Sequence, residues 1–175
     1  MQKKTVITLL LLASILGGTY LLSSNKTTAH DFGNYCAFCD PKIINSQKFY
    51  EDDLVLALYT HKPIFPGHCL IIPKRHVQRF EALSEDEITQ IGKVIKKVNL
   101  AISGIFKTSA YLLLQKNGQE VGQTVPHVHF HYIPRQAGDD SSLTFLTKMY
   151  IANTKKPIST QEMKEVTDKL KKAMN

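Results

Sequence analysis

Residues 127–133 read His127-Val128-His129-Phe130-His131-Tyr132-Ile133, and this strict alternation constrains the fold more than any other feature of the chain. A β-strand sends successive side chains to opposite faces. The pattern therefore predicts a strand with His127, His129 and His131 on one face and Val128, Phe130 and Tyr132 on the other. Three imidazoles in a row are a poor choice for simple core packing, because each buried ring nitrogen needs a hydrogen-bond partner. The row marks a site. The residues alone leave open whether it does nucleophilic chemistry, holds a metal, or does both.

A strand needs a sheet to lie in, and the rest of the chain supplies one. Residues 54–60 and 68–72 read as a hairpin, with Pro63, Pro66 and Gly67 marking the turn. Ser84-Glu85-Asp86-Glu87 is a capping box, and Ile88, Ile91, Ile95, Val98 and Ile102 follow at helical spacing. They predict a long amphipathic helix over about 85–103, ended by Gly104. Residues 110–115 form another strand and Asn117-Gly118 a turn, so the sheet is antiparallel with the long helix behind it. A second capping box, Ser159-Thr160-Gln161-Glu162, opens a terminal helix carrying Met163, Val166 and Leu170. The 175 residues, 43% of them hydrophobic, suffice for one ordinary core.

The formal net charge of +7 includes Lys3 and Lys4 and a second share in Lys155, Lys156, Lys164, Lys169, Lys171 and Lys172. No basic run is interleaved with aromatics, so the balance favours anionic small substrates or a membrane surface over nucleic acid. Lys3 and Lys4 precede an apolar stretch over 6–22, the order of a secretory signal, and Thr27-Thr28-Ala29 fits a cleavage site. Residues 1–29 are expected to be either a cleaved signal or a retained membrane anchor, with the domain exported in both cases.

Two further motifs bear on the chemistry. Gly122-Gln123-Thr124, directly before the histidines, offers a flexible backbone, an amide and a hydroxyl, a donor set able to surround a phosphate. Cys36-Ala37-Phe38-Cys39 can place two thiolates on one zinc if histidines complete the site, or can close a disulfide. Cys69, between His68 and Leu70, reads as a small core hydrophobe. His30 and His61 read as solvated residues outside the site.

The stretch Gly122-Gln123-Thr124-Val125-Pro126-His127-Val128-His129-Phe130-His131-Tyr132-Ile133-Pro134-Arg135 resembles the signature of the histidine triad (HIT) superfamily. Pro66-Gly67-His68-Cys69-Leu70-Ile71-Ile72-Pro73-Lys74-Arg75-His76 resembles its upstream strand. The resemblance covers about 34–140, leaving 141–175 as a C-terminal extension, and is strongest to the fragile histidine triad branch of dinucleoside polyphosphate hydrolases. It implies an α+β fold with a five-stranded antiparallel sheet, and a homodimer. It also implies a nucleotidyl hydrolase or transferase in which His129 attacks an α-phosphorus and forms a nucleotidyl-histidine. The backbone carbonyl of His127 would fix the tautomer of His129, and His131 would contact the scissile phosphate and leaving group. Gln123 and Thr124 would bind phosphate oxygens, and His68 would line the pocket.

The same resemblance implies that Cys36, Cys39, His76 and His127 together hold a zinc ion. Two positions depart from the family. Thr60 stands where Asp or Asn commonly binds ribose, and Lys116 stands where Asn or Gln is common. They bear on recognition of the ribose, while the resemblance implies as substrate a nucleotide derivative such as a dinucleoside polyphosphate, with a purine nucleoside phosphoramidate as the alternative leaving-group chemistry. A metal-binding or non-catalytic nucleotide-binding module is the alternative outside enzymology.

Overall fold

The computed structural model describes residues 35–139 and 141–174. Its centre is a five-stranded antiparallel sheet in the order β1-β2-β3-β5-β4, with strands Lys48–Glu51, Val55–Tyr59, Cys69–Pro73, Ala110–Gln115 (β4) and Phe130–Arg135 (β5). Helix α1 spans Pro41–Gln47, α2 Glu85–Phe106, α3 Ser142–Ile151 and α4 Thr160–Met174. The α+β fold and the five-stranded sheet agree with the sequence reading.

β2 and β3 are buried along their whole length, so both faces of the central sheet are covered. One face presents Val55, Ala57, Cys69, Ile71, Val128 and Tyr132 to Ile91, Val94, Val98 and Ile102 of α2 and to Met163 and Leu170 of α4. Each fully buried Val, Leu or Ile contributes about 1.5–3 kcal/mol, which makes this layer the main stabilising element. Cys69 belongs to it, and burial pushes its thiol pKa up. The opposite face presents Leu56, Leu58, Leu70 and Ile72 to Phe38, Ile44 and Val125. The site lies on this second face.

Local signals explain most boundaries. Ser84 Oγ accepts from Glu87 N–H at 3.2 Å, and the Glu87 carboxylate accepts from Ser84 N–H at 2.8 Å, which closes the expected capping box on α2. Arg75 binds the same carboxylate through Nε and a terminal nitrogen at 3.0 and 2.7 Å, tying the segment before His76 to the start of α2. Gly104 does not end α2. The helix continues because Ile105 and Phe106 still pack on the core, and it stops at Lys107, which is left-handed at φ 58°. β5 begins at Phe130 rather than at residue 127. The preceding backbone instead bonds outside the ladder, with Val128 N–H donating to the Val77 carbonyl at 2.6 Å.

Candidate active site

The alternation of side chains survives the late start of β5. Val128 and Tyr132 enter the helix-covered core, while His131 sits opposite Leu70 of β3 and Leu114 of β4 on the other face. His129 is buried, with its Nδ1 2.7 Å from the carbonyl oxygen of His127. A carbonyl only accepts, so Nδ1 carries the proton and the lone pair of neutral His129 is on Nε2. Burial is the main cause holding the His129 pKa below the ordinary histidine value; the bond to His127 opposes it and the Lys116 charge adds to it. The imidazole is therefore neutral near pH 7. Phe38 packs its edge on both His127 and His129, at 5.9 and 5.2 Å between ring centres.

His131 is set by a longer chain of bonds. Ile64 N–H donates to His68 Nδ1 at 3.2 Å, which leaves the proton of neutral His68 on Nε2. That nitrogen donates to His131 Nδ1 at 3.0 Å, so neutral His131 carries its proton on Nε2. Burial pushes His68 down to about 3. His131 falls to about 2, chiefly through burial, then through the charges of His68, His129 and Lys116. The two adjacent histidines thus differ in what they offer, a lone pair at Nε2 of His129 and an N–H donor at Nε2 of His131.

Both open onto a cavity of about 360 Å³ that is also lined by Thr60, His68, Lys116 and Thr124. These are four of the five residues expected to bind substrate. Gln123 differs. Its amide oxygen accepts from Gly118 N–H at 2.7 Å, and its nitrogen donates to the carbonyls of Gln78 and Val125 at 2.9 and 3.1 Å. The buried amide is thus occupied in holding the loop before the triad, and Thr124 is the member of Gly122-Gln123-Thr124 that offers a side-chain donor to the cavity. Every titratable residue lining the cavity is a histidine or lysine, His61 and Lys62 among them, so it is suited to an anionic ligand.

His127 faces elsewhere. Its Nε2 lies 2.9 Å from the Pro73 carbonyl and must donate to it, which leaves the lone pair on Nδ1 available to a metal. Nδ1 lies 3.5 Å from Cys36 Sγ and 3.6 Å from Cys39 Sγ, and His76 Nδ1 lies 3.4 Å from Cys39 Sγ. The four ligand atoms lie within 4.8 Å of one another. With Zn–S near 2.3 Å and Zn–N near 2.0–2.1 Å, a tetrahedral centre requires sulfur–nitrogen edges of about 3.5 Å. The residues therefore fit a tetrahedral metal. The cysteines are free, and no disulfide joins them. Burial is the main cause that lowers His127 to about 4, and it keeps the imidazole in the neutral form a metal requires.

A family model described as the HIT domain matches residues 42–138, more than half of the chain. The chain belongs to the HIT family. This HIT protein is 43% identical over 98 residues to the bis(5'-nucleosyl)-tetraphosphatase [asymmetrical] of Schizosaccharomyces pombe, covering 56% of the chain and 54% of the relative. It thus spans about half the length of that enzyme. It is 31% identical over 129 residues to the bis(5'-adenosyl)-triphosphatase of Dictyostelium discoideum, covering 74% of the chain and 86% of the relative. A hypothetical histidine triad nucleotide-binding protein from Sulfolobus tokodaii has the same fold, with a TM-score of 0.64 at 28% identity, over 79% of this chain and 91% of that one.

The expectation of a signal-bearing, exported or membrane-anchored HIT protein does not stand. The HIT-domain match starts after the apolar stretch, at residue 42, and relatives matched there are named for nucleotide hydrolysis. Among the described residues no helix is long and apolar enough to cross a membrane. The segment 1–29 lies outside the described residues, and its charged-then-apolar order is a pattern of composition that fixes neither span nor destination. His61 is also corrected. It is exposed as expected, yet it lines the cavity. Sequence reasoning missed Phe38, although it lies inside the Cys-x-x-Cys motif. It also missed Met149 of α3, another lining residue, for which no motif gave a signal.

Proposed function

We propose that this HIT protein hydrolyses a phosphoanhydride at the α-phosphorus of a nucleotide derivative, with a dinucleoside polyphosphate as the substrate class. The observation that carries the reading is the 2.7 Å bond between His129 Nδ1 and the His127 carbonyl, which aims a neutral Nε2 lone pair from a buried ring. That nitrogen attacks phosphorus, a P–N bond forms, and the P–O bond to the leaving polyphosphate breaks. The leaving group departs as an anion, hydrogen-bonded by His131 Nε2–H, so no full proton transfer is needed. Water then attacks the same phosphorus, the P–N bond breaks, and a nucleoside monophosphate and a proton are released.

His129 keeps its Nδ1 proton throughout, and the His127 carbonyl stabilises the positive ring of the intermediate. Lys116 and Thr124 provide charge and a hydroxyl for phosphate oxygens. Thr60 offers the nucleoside a single hydroxyl, which already accepts from Lys62 N–H at 3.5 Å.

Cys36, Cys39, His76 and His127 would hold zinc as a structural ion. The bound ion would tie the 3-10 turn Ala37–Cys39 to the segment after β3 and to the triad. Burial, then the hydrogen bond with Cys39, push the Cys36 thiol up to about 11, so a cation is needed to hold it as thiolate at neutral pH. Phe38, fixed between the two cysteines, would then be held against His129.

Purified protein should be incubated with diadenosine polyphosphates, nucleoside phosphoramidates and nucleotide sugars. The reading expects diadenosine polyphosphates to be cleaved by the wild type and spared by His129→Ala. Equal cleavage by the variant, or no cleavage of any substrate by the wild type, overturns it.

A further inference from the structure

We propose that Gln47 is a specificity-determining residue that reads the base of the nucleotide, an assignment that rests on the nucleotide-hydrolase reading above. Gln47 is the last residue of α1 and only 6% exposed. Its carboxamide offers two donors and an acceptor, yet among the described residues it has no hydrogen-bond partner. It is the exception among the buried polar side chains. Thr60, His68, Glu87, Gln123, His127, His129 and Thr167 each make side-chain hydrogen bonds. A buried amide without a partner costs stability, and such groups persist where a ligand completes them.

The ligand is identified by the surroundings. Gln47 lines the same cavity as the triad, and so does Ile43, four residues earlier and therefore on the same helix face. Phe38 and Leu70 add further apolar lining, whereas Lys116, Thr124, His129 and His131 supply the polar groups suited to phosphate. An apolar wall with one unpartnered amide suits a flat heterocycle that carries polar groups on its edge. A carboxamide sets a donor beside an acceptor, and the amino group and ring nitrogen of adenine present the complementary pair, allowing two parallel hydrogen bonds. The segment is fixed before substrate arrives. The Asp40 side chain caps α1 through Lys42 N–H at 2.8 Å, and Pro41 occupies the first turn.

The test uses the full chain and calorimetric binding of AMP, purine riboside 5'-monophosphate, which lacks the amino group, and ribose 5-phosphate. Wild type should bind AMP about tenfold more tightly than the purine analogue, the effect of one buried hydrogen bond. Gln47→Leu should bind the two within about twofold, the limit set by removing that bond, with affinity for ribose 5-phosphate unchanged. Its melting temperature should be no lower than that of the wild type, since a buried amide without a protein partner is removed. A wild type that does not distinguish the two purines overturns the proposal. So does a variant that keeps the preference for AMP, or one that loses ribose 5-phosphate as much as AMP. Turnover of diadenosine polyphosphate is measured alongside. AMP binding that depends on Gln47, without turnover, would reject the hydrolase reading and leave the base assignment standing.

Discussion

Replacing His68 by Gln separates two consequences of the His68–His131 pair. A glutamine can still accept from Ile64 N–H and donate to His131 Nδ1, but it cannot take up a proton. In the folded wild type, burial holds His68 neutral down to about pH 3, whereas in the unfolded chain it titrates at the ordinary value of 6.5. Between those values the unfolded chain binds more protons, so stability is fully present above pH 6.5 and is lost as pH falls. The slope is about 1.4 kcal/mol per pH unit for each histidine held neutral. At pH 5 the loss through His68 alone is about 2 kcal/mol relative to pH 7.5. His131, held down to about 2 chiefly by burial and further by His68, His129 and Lys116 beside it, adds a comparable loss. Urea unfolding at pH 7.5 and 5.0, at fixed metal concentration, measures the difference directly. His68→Gln should lose about 2 kcal/mol less than the wild type on acidification, because the remaining histidines contribute alike to both proteins. Identical pH dependence in the two proteins would refute the assignment of a buried, neutral His68.

Three further outcomes follow from named contacts. Elemental analysis after dialysis should find about one zinc per chain, lost in Cys36→Ser, and chelation should lower the melting temperature of the wild type but not of the variant. Gly67→Ala should destabilise by about 1–3 kcal/mol in urea unfolding, because φ is +88° there and a Cβ would lie 2.9 Å from Pro134 Cγ and 3.1 Å from Phe106. Leu58→Ala, on the fully buried strand behind Phe38, should cost about 2–5 kcal/mol by leaving a cavity.

Much of the fold was written in local patterns. The capping box at Ser84, the heptad-like isoleucines of α2, β4 at 110–115 and the second cap at Ser159 all act over a few residues. The structure keeps each of them, with Ser159 Oγ accepting from Glu162 N–H at 3.1 Å. α1 was missed: Asp40-Pro41 is a cap followed by proline at the first helical position, but seven residues are too few for periodicity to stand out. The short edge strand β1, which follows it directly, was missed for the same reason. The site divides in the same way. The histidine alternation announced which side chains share a face, and the tautomer of His68 is set locally by Ile64 N–H, whereas the tautomer of His131 depends on its contact with His68, 63 residues away in sequence. The amide of Gln123, read from its neighbours in sequence as a phosphate ligand, bonds instead to backbone that folding brings beside it, Gln78 included. A motif lists the groups available, and only the packing decides which way each one faces.

The central claim is that His129 becomes covalently joined to the nucleotide. The direct measurement is a single-turnover reaction with diadenosine tetraphosphate, stopped in alkali to preserve a phosphoramidate bond and followed by peptide mass spectrometry. We expect one AMP on the peptide carrying His129, formed in step with release of the first product and absent in His129→Ala. Turnover with no nucleotide on His129 at any time, or turnover that persists in His129→Ala, would contradict the account.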